Sequence, residues 1–119
     1  MTTLSEIKTH NDGFNIWDFA KARGDFGSSL CGYIDISHAE LVEAFGESGP
    51  TDDYKVDAEW WITDGTRVAT LYNYKDGPNY NDGAGSVESI RDWHIGGFNE
   101  NAVQLLRDLF PESDVRSGY

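Results

Sequence analysis

Cationic side chains are scarce in this sequence: nine Lys and Arg stand against 21 Asp and Glu, which leaves a formal net charge of −12. A field of that sign repels phosphate backbones and anionic membrane surfaces, so direct nucleic-acid binding and membrane association are disfavoured. Cysteine is almost absent as well. The single Cys31 excludes an intramolecular disulfide, and its place in the apolar run from Leu30 to Ile36 suits a buried structural thiol. No segment approaches the roughly 18 consecutive apolar residues that a membrane-spanning helix needs. The opening residues MTTLSEIKTH lack the basic start and apolar stretch of an export signal. A cytoplasmic location is expected.

Large apolar side chains, by contrast, are plentiful. Four Trp, six Tyr and six Phe in 119 residues are too many for a disordered acidic tail, and the length suits one hydrophobic core. Residues 29–119 are therefore expected to form a single α+β domain, with residues 1–28 as an N-terminal segment that packs on it or extends it. Within that segment, Asn15 to Arg23 spaces Ile16, Phe19 and Ala20 for one face of a short helix.

Ser29 to Ile36 is rich in β-favouring residues. It leads into Ser37-His38-Ala39-Glu40, where the serine can cap a helix and the glutamate three residues on can bond back to the serine amide, a capping box. Leu41, Val42, Ala44 and Phe45 continue that helix, and Gly46 is placed to end it. The strongest local signal is a hairpin, KVDAEWWIT and RVATLYNYK flanking Asp64-Gly65, a dipeptide that accepts the positive φ of a type I′ turn. With that turn, Thr63 is expected opposite Thr66, Trp61 opposite Val68, Glu59 opposite Thr70, Asp57 opposite Tyr72 and Lys55 opposite Tyr74. Val56, Ala58, Trp60, Ile62, Ala69 and Leu71 then form a core face. Lys55, Asp57, Glu59, Trp61, Val68, Thr70, Tyr72 and Tyr74 form the opposite face, which is expected to reach solvent.

Asp76 to Ser86 is Gly-, Asn- and Asp-rich and reads as a long exposed loop. Ser89 to Ile95 reads as a further strand closed by Gly96-Gly97. After it, Asn99 can cap a last helix that carries Ala102, Val103, Leu105, Leu106, Leu109 and Phe110 and stops at Pro111. The expected fold is a two-layer α+β sandwich, a mostly antiparallel sheet of about four strands with two main helices on one face.

Three blocks in fixed order, Tyr54-Lys55-Val56-Asp57-Ala58-Glu59-Trp60, Tyr72-Asn73-Tyr74-Lys75-Asp76-Gly77 and Trp93-His94-Ile95-Gly96-Gly97, carry a resemblance. Together they resemble small proteins of unassigned activity encoded by bacteriophages and some large DNA viruses, over roughly residues 30 to 108. The resemblance implies an accessory viral protein working inside a bacterial host, and it leaves residues 1–28 outside.

No catalytic motif is legible. Asp57 and Glu59 stand two apart on one strand face without a nucleophile and base beside them. His10, His38 and Cys31 lack zinc-ligand spacing. In the loop after Lys75, Asp76, Asn79, Asn81 and Asp82 fail the EF-hand spacing, and the glycines lack the Lys-Ser/Thr of a phosphate loop. No metal and no cofactor are expected. The leading expectation is a surface for a basic or nucleic-acid-binding host protein, with Asp52, Asp53, Asp57, Glu59 and Asp76 as phosphate surrogates and Trp61, Tyr72 and Tyr74 as anchors. The alternative is a nucleotide-like small ligand, stacked by Tyr72, Tyr74, Trp93 and His94 and met at its phosphates by Lys55, Lys75 or Arg91. A third possibility is an enzyme built on a carboxylate and His94.

Overall fold

The structure, a computed structural model, describes residues 4–15, 29–49, 58–73 and 87–118. The expected helix at Asn15 to Arg23, the loop from Asp76 to Ser86, and Asp52, Asp53, Lys55, Asp57, Tyr74, Lys75 and Asp76 lie outside these residues, apart from Asn15.

Among the described residues, six strands and two helices follow one another as β1 (Lys8–Thr9), β2 (Ser29–Asp35), α1 (His38–Phe45), β3 (Glu59–Thr63), β4 (Val68–Tyr72), β5 (Asp92–Gly97), α2 (Asn101–Leu109) and β6 (Asp114–Ser117). The strands form one sheet in the order β1-β3-β4-β5-β2-β6, and each neighbouring pair is antiparallel. The sheet is thus larger than the expected four strands, because β1 and β6 add a border at each side. Neither carries an apolar alternation: Lys8-Thr9 is two residues long, and β6 has Val115 as its one apolar side chain.

The helices form where local chemistry places them. Ser37 Oγ accepts the Glu40 amide at 3.1 Å and donates to the Glu40 carboxylate at 3.0 Å, closing the start of α1. At its other end Gly46 takes φ +83, and its N–H donates to Val42 O at 2.7 Å. The residues that follow β1 complete that end. Asn11 Nδ2 donates to the carbonyls of Phe45 and Glu47 at 3.1 and 3.0 Å, and Trp60 Nε1 donates to Gly46 O at 2.9 Å. Residues 4–15 thereby join the domain. At α2, Asn99 Oδ1 accepts the Asn101 amide at 2.9 Å.

The hairpin corrects the expected register. Glu59 pairs with Tyr72, Trp61 with Thr70 and Thr63 with Val68, two residues out of the predicted pairing. The turn is centred on Gly65-Thr66 rather than Asp64-Gly65: Asp64 N–H donates to Arg67 O at 3.2 Å, and Gly65 has φ +97 at the first central position. Asp64 is used differently, as the acceptor that closes the turn. Its Oδ1 takes the amides of Thr66 and Arg67 at 2.9 and 2.7 Å. A slip of two keeps the side-chain alternation, so among the described residues Ala58, Trp60, Ile62, Ala69 and Leu71 stay on the core face and Glu59, Trp61, Val68, Thr70 and Tyr72 on the other.

The core face holds Trp60, Ile62, Ala69, Leu71, Trp93, Ile95 and Ile34, all fully buried, against Leu41 and Phe45 of α1 and the apolar stripe of α2. Trp60 and Trp93 meet edge to face at 5.4 Å, and the Trp93 indole donates to Ile36 O at 3.0 Å. β5 begins at Asp92 rather than Ser89, and Gly96 and Gly97 are its last two residues rather than the residues after it. A Cβ at Gly97 would come within 2.5 Å of Ala102 Cβ, so the close approach of α2 requires glycine there. Cys31 is 1 % exposed, and burial, with the nearby Glu100 charge, pushes its thiol upward. Among the described residues no helix is long and apolar enough to cross a membrane.

Candidate functional site

The face of the sheet turned away from α1 and α2 carries the polar chemistry. Register lines up one residue from each of five strands, Arg116, Tyr33, His94, Tyr72 and Glu59, each directly opposite the next. Directly opposed side chains on one face are close enough to interact. The Tyr72 and His94 rings stack at 5.2 Å and 16°, Tyr33 lies against His94 at 5.1 Å and 55°, and the Arg116 guanidinium carbon stands 5.5 Å from the centre of the Tyr33 ring. The row is a continuous aromatic band with a cation at one end and a carboxylate at the other.

A second row runs beside it. Asp114, Asp35 and Asp92 are opposed across β6, β2 and β5. Like charges so placed repel. Arg116 bonds Asp92 at 2.8 Å and approaches Asp114 at 3.7 Å, and Arg91 bonds Asp35 at 3.1 Å. The other described arginines are also held internally. Arg67 joins Asp64 to Asp108 at 2.9 and 2.8 Å, tying the hairpin turn to α2, and Arg107 reaches Val115 O at 3.5 Å.

Glu59, at the end of the aromatic row, opens onto a cleft of about 320 Å³ lined by His10, Gly13, Phe14, Asn15, Gly49, Glu59 and Trp61. Burial raises the Glu59 carboxyl above its ordinary value, an effect that the Trp61 indole N–H partly offsets by donating to it. The turn after β1 supplies the opposite wall. Thr9 Oγ1 accepts the Asn11 amide at 3.0 Å and Asp12 accepts the Thr9 amide at 2.8 Å, which fixes His10 between two partners. His10 Nδ1 accepts the Trp61 amide at 3.5 Å, so Nε2 carries the proton that is donated to Glu47 O at 2.9 Å.

Comparison with protein-family models, with curated proteins and with solved structures finds no match for this chain.

Of the residues expected to meet a partner, Glu59, Trp61 and Tyr72 share one face and are half-buried rather than open to solvent, while Val68 and Thr70 on the same face are each 5 % exposed. Of those expected to hold a small ligand, Tyr72 and His94 do come together. Trp93 does not join them: it lies on the other face of the sheet at 0 % exposure, because neighbouring strand residues point to opposite sides. Arg91 is engaged by Asp35. Sequence reasoning missed Tyr33 and Arg116 in the row and His10, Phe14, Asn15 and Gly49 in the cleft. The Thr9-x-x-Asp12 spacing, a capping-box pattern, was the signal for the turn that positions the latter. Among the described residues no three His, Cys, Asp or Glu side chains group as a metal site.

Proposed function

We propose that the protein acts by binding, as an acidic module that covers a basic, nucleic-acid-binding surface of a host protein and so inhibits it. The observation that carries this reading is the internal commitment of the arginines. Arg67, Arg91 and Arg116 are spent on the chain's own carboxylates and Arg107 on a carbonyl. The exposed Glu43, Glu47, Glu88 and Glu112 form no ion pair with any of them. Such a surface steers a cationic partner at low salt and repels nucleic acid itself. In a bacterial cell, a defence or nucleic-acid-handling protein whose binding cleft is basic has the matching charge.

The test is capture of a partner from bacterial lysate at low salt, followed by competition. Duplex DNA and salt at about 0.5 M are each expected to release the partner. Charge reversal of Glu43 and Glu47 to lysine should weaken capture and flatten its salt dependence. A partner retained at high salt and indifferent to DNA overturns the reading.

A further inference from the structure

The cleft beside Glu59 has a chemistry distinct from the broad acidic exterior. One wall is the Trp61 indole and another is Phe14, with a half-buried carboxylate between β3 and the turn after β1. Its volume of about 320 Å³ lies at the lower end of the range of small-ligand sites, roughly 300 Å³ and upward. It suits a side chain or a small organic ion rather than a nucleotide. Burying a carboxylate is costly unless a cation or several donors meet it. Among the described residues Glu59 is met by one donor, the Trp61 N–H. None of the four described arginines bonds it, since each is held elsewhere. The nearest imidazole does not serve either: His10 presents one nitrogen to the Trp61 amide and the other to Glu47 O.

We propose that this cleft is a receptor for a guanidinium group, the side chain of an arginine on the basic partner, with Glu59 as its counter-ion and Trp61 as its stacking surface. The choice of occupant rests on the partner reading above. A planar guanidinium satisfies both features at once: its fork of N–H donors matches the free carboxylate lone pairs, and its flat face stacks on an aromatic ring. Phosphate and carboxylate ligands are repelled by Glu59. Gly49 also lines the cleft, where a Cβ would press on the His10 ring at 3.3 Å.

The experiment is titration of the full chain with N-acetyl-arginine amide, followed by the Trp61 indole N–H resonance, which Trp61→Phe assigns. Saturable movement of that resonance is expected. N-acetyl-citrulline amide, the neutral isostere, should bind at least about tenfold more weakly, the loss expected when a charged hydrogen-bonded pair becomes neutral. Glu59→Gln should abolish the arginine response while leaving the rest of the spectrum in place. No movement with the arginine amide, or equal binding of citrulline by the unmodified chain, overturns the proposal whatever the variant does. Partner capture separates the two readings. If the arginine amide fails while DNA and salt still release the partner, the cleft assignment falls alone. If the amide binds while capture ignores DNA and salt, the partner reading falls and takes the proposed occupant with it.

Discussion

Replacing Asp64 with alanine tests how the hairpin is closed. Asp64 Oδ1 receives the amides of Thr66 and Arg67, and Oδ2 receives Arg67 Nε at 2.9 Å, with the Asp64 side chain 9 % exposed. Hydrogen bonds to a charged group contribute about 1.5–3 kcal/mol each when the partner is left dry. Thr66 is exposed, so water replaces its bond, whereas the Arg67 amide and guanidinium are partly buried. The expected loss is about 2–3 kcal/mol, roughly a 10 °C fall in Tm for a domain of this size. Urea unfolding followed by circular dichroism reads it directly. Asp64→Asn keeps one acceptor and loses the charge, so it should fall between the two.

The gap should also depend on pH. Burial opposes the Asp64 charge, but the amides of Arg67 and Thr66 and the Arg67 guanidinium outweigh it and hold the carboxyl below its ordinary value. A carboxyl depressed in the folded state stabilises fully above the unfolded value, near about 3.9, and loses that contribution as pH falls toward the folded one. The difference between the parent and Asp64→Ala should therefore shrink in acid. A variant within about 0.5 kcal/mol of the parent, or a gap as large at about pH 2.5 as at neutrality, would refute the reasoning.

Gly97→Ala is expected to cost about 1–3 kcal/mol by thermal melting, because its Cβ meets Ala102 Cβ at 2.5 Å, and adding Ala102→Gly should recover part of the loss. Unchanged melting would show that α2 is free to lift. Asn11→Ala removes two donors from the end of α1 and should cost about 1 kcal/mol. Amide exchange should then quicken over residues 4–15 and leave β4 and β5 unaffected; uniform quickening would contradict that local role. Glu59→Gln should raise Tm at neutral pH, since burial has raised the Glu59 carboxyl. Such a group costs stability as pH rises above the unfolded value near about 4.3, so the advantage should vanish below it. An advantage that persists in acid would point to packing instead.

What was legible in the sequence is what depends on alternation and on neighbours close in the chain. Ser37 as the cap of α1, Gly46, and the division of the hairpin into a Trp60 face and a Trp61 face are local and hold in the fold, although the Glu40 carboxylate accepts from the Ser37 hydroxyl rather than from its amide. The register slipped because Asp64-Gly65 and Gly65-Thr66 are both acceptable turn centres, and the choice is made by the Asp64 acceptor bonds and by Arg67 reaching Asp108 on α2. β1 and β6 were illegible because their residues bury little and form strands through partners distant in sequence. For the same reason Glu59, Trp61, Tyr72 and His94 could be named, while the cleft that gives Glu59 its setting could not. His10 and Phe14 arrive there by a turn, not by any repeat.

The order of the sheet has a consequence for association. A strand left open along its length offers unpaired N–H and C=O groups that template addition of another chain, and short or charged border strands blunt that hazard. Here β1 is two residues long, and β6 sets Asp114 and Arg116 on either side of Val115. The interior strands that bury most of the core are thus shielded by segments that contribute little to it. Deleting residues 114–118 would bare β2 from Cys31 to Asp35 on its β6-facing side. Size-exclusion chromatography should then show the shortened chain self-associating in proportion to its concentration, and a shortened chain eluting like the parent would show that β6 does not serve as this guard.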